Sequence, residues 1–243
     1  MKTCASCLAA QRKQDLHQAS KSKARIMREV QIQAGRAVLP GDLRIPKRAA
    51  ALVLFAHGSG SSRHSPRNQF VARTLNDAGL GTLLVDLLTQ EEEAIDMQTR
   101  ELRFNIHLLA ERLVHVTKWV KQQDQTCDFR IGYFGSSTGG AAALVAAVGV
   151  PQDVNAVVSR GGRPDLAGEA LQKVQAPTLL IVGGNDDIVI ELNEQARDRM
   201  HCEVKLEIVP GATHLFEESG ALEKVAQLAS DWFVKHLGAK SAS

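Results

Sequence analysis

Short apolar runs alternate with longer stretches in which apolar positions recur every three or four residues, and this rhythm covers most of the chain. The run 50–56 (AALVLFA) carries no polar alternation, as expected of a strand covered on both faces. Buried strands of the same kind are predicted at 82–85 (TLLV), 129–134 (FRIGYF), 154–158 (VNAVV) and 178–182 (TLLIV). Residues 204–209 (VKLEIV) alternate and belong nearer an edge, while 26–32 and 36–45 predict an opening antiparallel pair joined near Gly35. Helical spacing marks 67–78 and 100–121, the latter placing Leu102, Ile106, Leu109, Leu113 and Val116 on one face. Further helices are predicted at 138–148, which is Ala-rich, at 190–200 and at 221–236. Strands alternating with helices predict an α/β fold, a three-layer sandwich on a mostly parallel eight-stranded sheet. Between Arg160 and Pro177 there is room for a loop and one short helix only, so no cap domain is expected.

Composition changes this picture little. The 243 residues are 44% apolar and 23% charged, as in globular domains. No apolar run approaches the roughly 20 residues that cross a bilayer, so no membrane partner is expected. Residues 1–25 form a basic extension that we expect to be disordered, ahead of the α/β domain over 26–240. Its apolar stretch stops at Arg12-Lys13, too soon for a secretory signal, although its basic, acid-poor character also fits a transit peptide. The net charge of +2 is uneven. Residues 1–30 hold seven Lys/Arg against Asp15 and Glu29, which leaves the remainder at −3 and argues against nucleic acid as the main partner. Cys4, Cys7, Cys127 and Cys202 make no disulfide framework and suit a reducing cytoplasm. The lone CxxC at Cys4 and Cys7 lacks a second ligand pair and reads as incidental, with metal or redox chemistry the alternative.

Candidate chemistry gathers where strands end. Gly135-Ser136-Ser137-Thr138-Gly139 fits G-x-S-x-G between a buried strand and an Ala-rich helix, the setting in which a sharp turn lifts a serine hydroxyl clear of a sheet. Glycines at 135 and 139 answer the crowding of such a turn. A serine hydroxyl needs a base, and His214 follows the last strand, on the sheet edge where open α/β folds bind ligands. Three acids compete to orient that imidazole: Asp186, preferred as the fourth residue of G-x-x-D after strand 178–182, its neighbour Asp187, and Asp165. Oxyanion donors are expected from the backbone N–H of Thr138, at a helix start, and of Ser59, in the turn His57-Gly58-Ser59-Gly60. His57 itself reads as a hydrogen-bonding brace for that turn. A cationic fringe of Arg63, His64, Arg67, Arg160 and Arg163 suits a carboxylate- or phosphate-bearing substrate; the alternative is structural pairing with Glu91–Glu93 and Asp165.

The stretches 57–68 (HGSGSSRHSPRN), 132–144 (GYFGSSTGGAAAL), 159–168 (SRGGRPDLAG), 176–193 and 210–222 together resemble the dienelactone-hydrolase-like branch of the α/β-hydrolases, over about residues 26–238. More narrowly, the chain resembles the hydrolase domain that in some bacterial proteins occurs alone or fused to a phosphoribosyltransferase; no phosphoribosyltransferase segment is expected within these residues. The resemblance implies a cap-less sandwich with nucleophile, acid and histidine at Ser137, Asp186 and His214. Dienelactone hydrolases proper carry cysteine at the elbow, whereas this chain has Ser137. The expectation is therefore a carboxylic-ester hydrolase acting on a small, in one reading anionic, molecule without cofactor or metal. Acyl transfer on the same triad and a non-catalytic binding module are the alternatives. Oligomeric state is left open.

Overall fold

The computed structural model describes residues 26–238, so the basic extension and its Cys4/Cys7 pair lie outside the described residues. Eight strands form one sheet: β1 (Ile26–Ala34), β2 (Ala37–Ile45), β3 (Ala51–Ala56), β4 (Gly81–Val85), β5 (Arg130–Ser136), β6 (Val154–Arg160), β7 (Thr178–Gly183) and β8 (Val204–Val209). Their order is β1-β2-β4-β3-β5-β6-β7-β8. β1 and β2 pair antiparallel around Gly35, β2 meets β4 antiparallel, and all remaining pairs are parallel. The alternating run 204–209 is the edge strand β8, as its pattern requires.

Six α-helices flank the sheet among the described residues: α1 (Pro66–Asp77), α2 (Gln90–Thr99), α3 (Ile106–Lys121), α4 (Thr138–Gly149), α5 (Asp187–Arg199) and α6 (Ala221–Leu237). The core is double. On one face α3 and α4 bury residues such as Leu113, Val116 and Leu144 against Leu54, Tyr133 and Val157. On the other, α1 and α6 bury Val71, Leu75, Val225 and Phe233 against Val53, Phe134 and Val158. The alternation of β3, β5 and β6 residues between these two clusters is the two-residue period of a strand buried on both sides. Close approach of α6 demands glycine in β5: a Cβ on Gly132 would lie 2.6 Å from the Phe233 ring.

The expected helix 100–121 divides. Arg100 takes a left-handed conformation (φ 59°) and ends α2, Leu102–Phe104 form a 3₁₀ turn, and Asn105 opens α3 by accepting the Leu108 N–H at 3.1 Å. Leu102 thus sits outside the helix whose face the spacing assigns it to. α2 has no counterpart in the apolar pattern. Its residues QEEEAIDMQT carry no apolar period, and it is held by a capping box of Thr89 with Glu92 and by the salt bridges of Glu92 to Arg112 and of Asp96 to Arg103. Between β6 and β7 the chain makes only a kinked 3₁₀ segment, Pro164–Lys173, and no cap covers the carboxyl edge among the described residues. No helix among the described residues is long and apolar enough to cross a membrane.

Candidate active site

One residue separates β5 from α4. Ser137 has φ 52° and ψ −121°, a left-handed backbone that costs a non-glycine residue on the order of 1–3 kcal/mol. Three hydrogen bonds hold it there. Its N–H donates to the Arg160 carbonyl (3.2 Å), and its own carbonyl accepts from Gly140 (3.0 Å) and Arg163 (3.1 Å). The turn is too tight for side chains on either flank: a Cβ on Gly135 would lie 2.4 Å from the Gly139 oxygen, and one on Gly139 2.1 Å from the Ala56 oxygen. Ser136 and Thr138 are buried, whereas Ser137 is partly exposed, so the turn lifts this hydroxyl out of the sheet edge.

His214 and Asp186 come from the loops after β8 and β7. His214 Nδ1 lies 2.7 Å from Asp186 Oδ2. Because a carboxylate only accepts, the proton sits on Nδ1 and Nε2 is left as an acceptor. Backbone bonds lock the two loops together: Gly184 N–H to the Val209 carbonyl (2.8 Å) and Asn185 N–H to the Ala212 carbonyl (2.9 Å). Asn185 Nδ2 adds a third, to the Gly211 carbonyl at 2.9 Å. Although Asp186 caps α5 by position, its side chain makes no cap bond and is free for the imidazole. Of the rival acids, Asp187 is exposed in the first turn of α5, and Asp165 receives a two-point bond from Arg163 (2.8 and 2.7 Å). The ring packs at Gly161, where a Cβ would lie 3.5 Å from His214 Cε1, and two residues on Arg163 bonds the Ser137 carbonyl; the structure brings His214 and Asp186 together but forms no hydrogen bond between His214 and Ser137.

Opposite stands the turn after β3. Gly58 is so close to the elbow that a Cβ there would lie 3.0 Å from Ser137 Cβ. Ser59 Oγ and Thr138 Oγ1 are 3.1 Å apart, so the turn after β3 and the start of α4 are in hydrogen-bond contact. The Thr138 N–H belongs to the first turn of α4, whose donors have no partner within the helix. His57 braces this turn with both ring nitrogens: Nδ1 donates to the Gly58 carbonyl (3.0 Å) and Nε2 accepts the Leu87 N–H (3.2 Å). A recess of about 120 Å³ adjoins Ser59 and Thr138, walled by Leu88, Met97, Leu109 and Arg103. Met97 is not visible as a wall residue in the apolar pattern because α2 is not; the Thr89-x-x-Glu92 capping box is the signal that could have exposed that helix.

The cationic fringe separates into engaged and free groups. Arg63 binds Asp86 through backbone and side chain and also faces Glu29 (3.2 Å) and Asp42 (3.5 Å); it does not use Glu91–Glu93. Burial opposes its charge, but these three carboxylates outweigh that and hold its pKa above the ordinary value. Arg163 is held up likewise by its bond to Asp165. His64 is exposed, its backbone N–H on Ser62 Oγ (3.2 Å). Arg67 meets Glu217 at 2.8 Å. Arg160 differs from all of them: it is 8% exposed, and its Nε and Nη1 have no hydrogen-bond partner among the described residues.

Known proteins share this arrangement of elements. Residues 39–237 match the dienelactone hydrolase family. A putative phosphoribosyl transferase of Mycobacterium tuberculosis, from either of two strains, is 56% identical over 209 residues, 86% of this chain and 46% of that protein. The chain therefore spans about half the length of the curated relatives it matches. Among solved structures, a dienelactone hydrolase from Anabaena variabilis is 58% identical with a TM-score of 0.86, covering 88% of this chain and 99% of that one. An esterase domain from Rhodothermus marinus shares the fold at 20% identity, with a TM-score of 0.70 over 88% of this chain and all of that one.

Proposed function

The chain belongs to the dienelactone hydrolase family, and on that premise we propose that it is a serine hydrolase cleaving a carboxylic ester through Ser137, His214 and Asp186. The single observation that carries this reading is the strained elbow at Ser137, set beside an imidazole whose Nδ1 is already bonded to a carboxylate. Strain of that kind persists where the surrounding structure over-determines it, and here it serves to present one hydroxyl.

In this reading Nε2 of His214 takes the Ser137 proton as Oγ attacks the acyl carbonyl. Asp186 fixes the ring and stabilises its charged form without itself taking the proton. The Ser59 and Thr138 amides receive the oxyanion, and loss of one such donor would lower turnover on the order of a hundredfold or more. His214 returns the proton to the leaving alcohol. A water then enters, gives its proton to His214, attacks the acyl carbon and frees the acid and Ser137. Every step uses side chains and backbone of this chain. The uncapped edge leaves the site open to substrate, and the small recess beside Ser59 gives the acyl group a place to sit. Cytoplasmic location is part of the same proposal, supported by the free thiols Cys127 and Cys202.

Turnover of 4-nitrophenyl acetate by wild type and Ser137→Ala tests the proposal. It expects a loss of at least about 10³-fold, and equal rates would defeat it.

A further inference from the structure

We propose that a second cavity, between α1 and the strands β2 and β4, binds a nucleoside monophosphate. Neither Ser137 nor His214 lines this cavity, and the inference is independent of the hydrolase reading.

The cavity follows from where α1 stops covering the sheet. Leu84 belongs to the core cluster under α1 and α6, and residues opposite one another on paired strands share a face. Asp42, opposite Leu84, and Arg44, opposite Thr82, therefore stand on the α1 side of β2. That cluster holds no residue of β1 or β2, and the space left beside α1 has a volume of about 410 Å³. Small-molecule pockets run from roughly 300 to 1,000 Å³. Two acids line it, Glu29 and Asp42. Each gives one oxygen to Arg63, at 3.2 and 3.5 Å, and keeps the other.

Asn76 and Thr82 set a buried acceptor beside a buried donor in this cavity. Asn76 is 3% exposed and Thr82 1%. Asn76 Nδ2 donates to the Leu80 carbonyl and to Thr82 Oγ1, both at 3.0 Å. A carbonyl only accepts, so the amide cannot be turned over, and Oδ1 is left buried with no partner among the described residues. Thr82 Oγ1 already accepts, which leaves its own proton to be donated. An acceptor next to a donor is the complement of a nucleobase edge, where an N–H stands beside a ring nitrogen or a carbonyl. The remaining lining suits the rest of a nucleotide. Ala72 and Leu84 are apolar and can flank a ring. The unused oxygens of Asp42 and Glu29 can accept from ribose hydroxyls, as acids do in dinucleotide sites. Arg73, exposed and three residues before Asn76 on α1, supplies a guanidinium for the phosphate.

Isothermal titration of the full chain with AMP, GMP, CMP and UMP, with their nucleosides and with inorganic phosphate tests the site. At least one nucleotide is expected to bind, about tenfold or more tighter than its nucleoside or phosphate alone. Arg73→Gln should bring the nucleotide down to the affinity of its nucleoside. Thr82→Val should weaken nucleotide and nucleoside alike by about tenfold. Arg73 is exposed, so Arg73→Gln keeps the fold and decides the matter even if the buried substitution does not; circular dichroism checks both. Ser137→Ala should bind as the wild type does. Failure of all four nucleotides to bind at millimolar concentration would overturn the site. So would inorganic phosphate binding as tightly as any nucleotide, or nucleotide affinity that Arg73→Gln leaves unchanged. Each of these results would leave Ser137-dependent hydrolysis standing, and loss of the hydrolase reading would leave this site standing.

Discussion

Ser59 Oγ and Thr138 Oγ1 lie 3.1 Å apart although 79 positions separate them in the chain. This bond ties the turn after β3 to the first residue of α4, the two segments whose backbone amides are proposed to hold the oxyanion. A hydroxyl pair of this kind contributes about 1 kcal/mol of stability, but alignment of the donors matters more. Ser59→Ala is expected to lower kcat for 4-nitrophenyl acetate about five- to twentyfold with KM nearly unchanged, since the oxyanion forms only in the transition state. Steady-state kinetics on the variant check this.

The acids of the β7 loop should separate cleanly. Asp186→Asn keeps the shape of the side chain but removes the acceptor that holds His214 in the Nδ1–H form. A loss of about 10⁴-fold in kcat is expected, with the fold intact by circular dichroism. Asp187→Asn touches only the exposed start of α5 and should change kcat less than threefold.

Glycine at the elbow is required by space. At Gly139 a Cβ would meet backbone oxygen at 2.1 Å, a clash that no rotamer change relieves. Gly139→Ala should destabilise by about 3 kcal/mol or more in urea unfolding and abolish activity. Gly79 has φ 87° and nothing within 4 Å of the point a methyl group would occupy, so Gly79→Ala carries only backbone strain, about 1 kcal/mol, and leaves activity unaltered.

Acid should loosen the wall formed by α2. Glu92 is held below its ordinary pKa by its bond to Arg112, reinforced by the Thr89 N–H, against the opposing effect of burial. A carboxyl with a depressed folded pKa stabilises the protein above its unfolded value, near 4.5, and that contribution is lost as pH falls through the folded pKa. Glu92→Gln should therefore cost about 2 kcal/mol at neutral pH and flatten the dependence of stability on pH between about 5 and 3. Denaturant titrations of both proteins across that range measure it.

The strands were legible because a strand buried on both faces must be apolar along its length, and β3 is throughout while β5 and β7 carry polar side chains only at their ends. The elbow was legible for a related reason: crowding leaves glycine as the residue that fits at 135 and 139, and glycine is visible in a sequence. α2 was hidden because Asp96 is its one buried residue and ion pairs, not an apolar face, hold it down. The partners of Arg63 were hidden because Glu29, Asp42 and Asp86 come from β1, β2 and the end of β4, which meet only in the folded sheet. Arg160 read as one more rim arginine. Its burial without a counter-ion depends on where β6 ends relative to α1, which residue spacing does not encode.

A covalent bond to Ser137 is the centre of the proposed chemistry. Rapid acid quench of the enzyme mixed with excess 4-nitrophenyl acetate, followed by peptide mass spectrometry, tests that bond directly. The proposal predicts an acetyl group on the peptide bearing Ser137, formed with a burst of nitrophenol and absent from Ser137→Ala. Undiminished ester hydrolysis by Ser137→Ala, with no acetyl group at that position in the wild type, would contradict it.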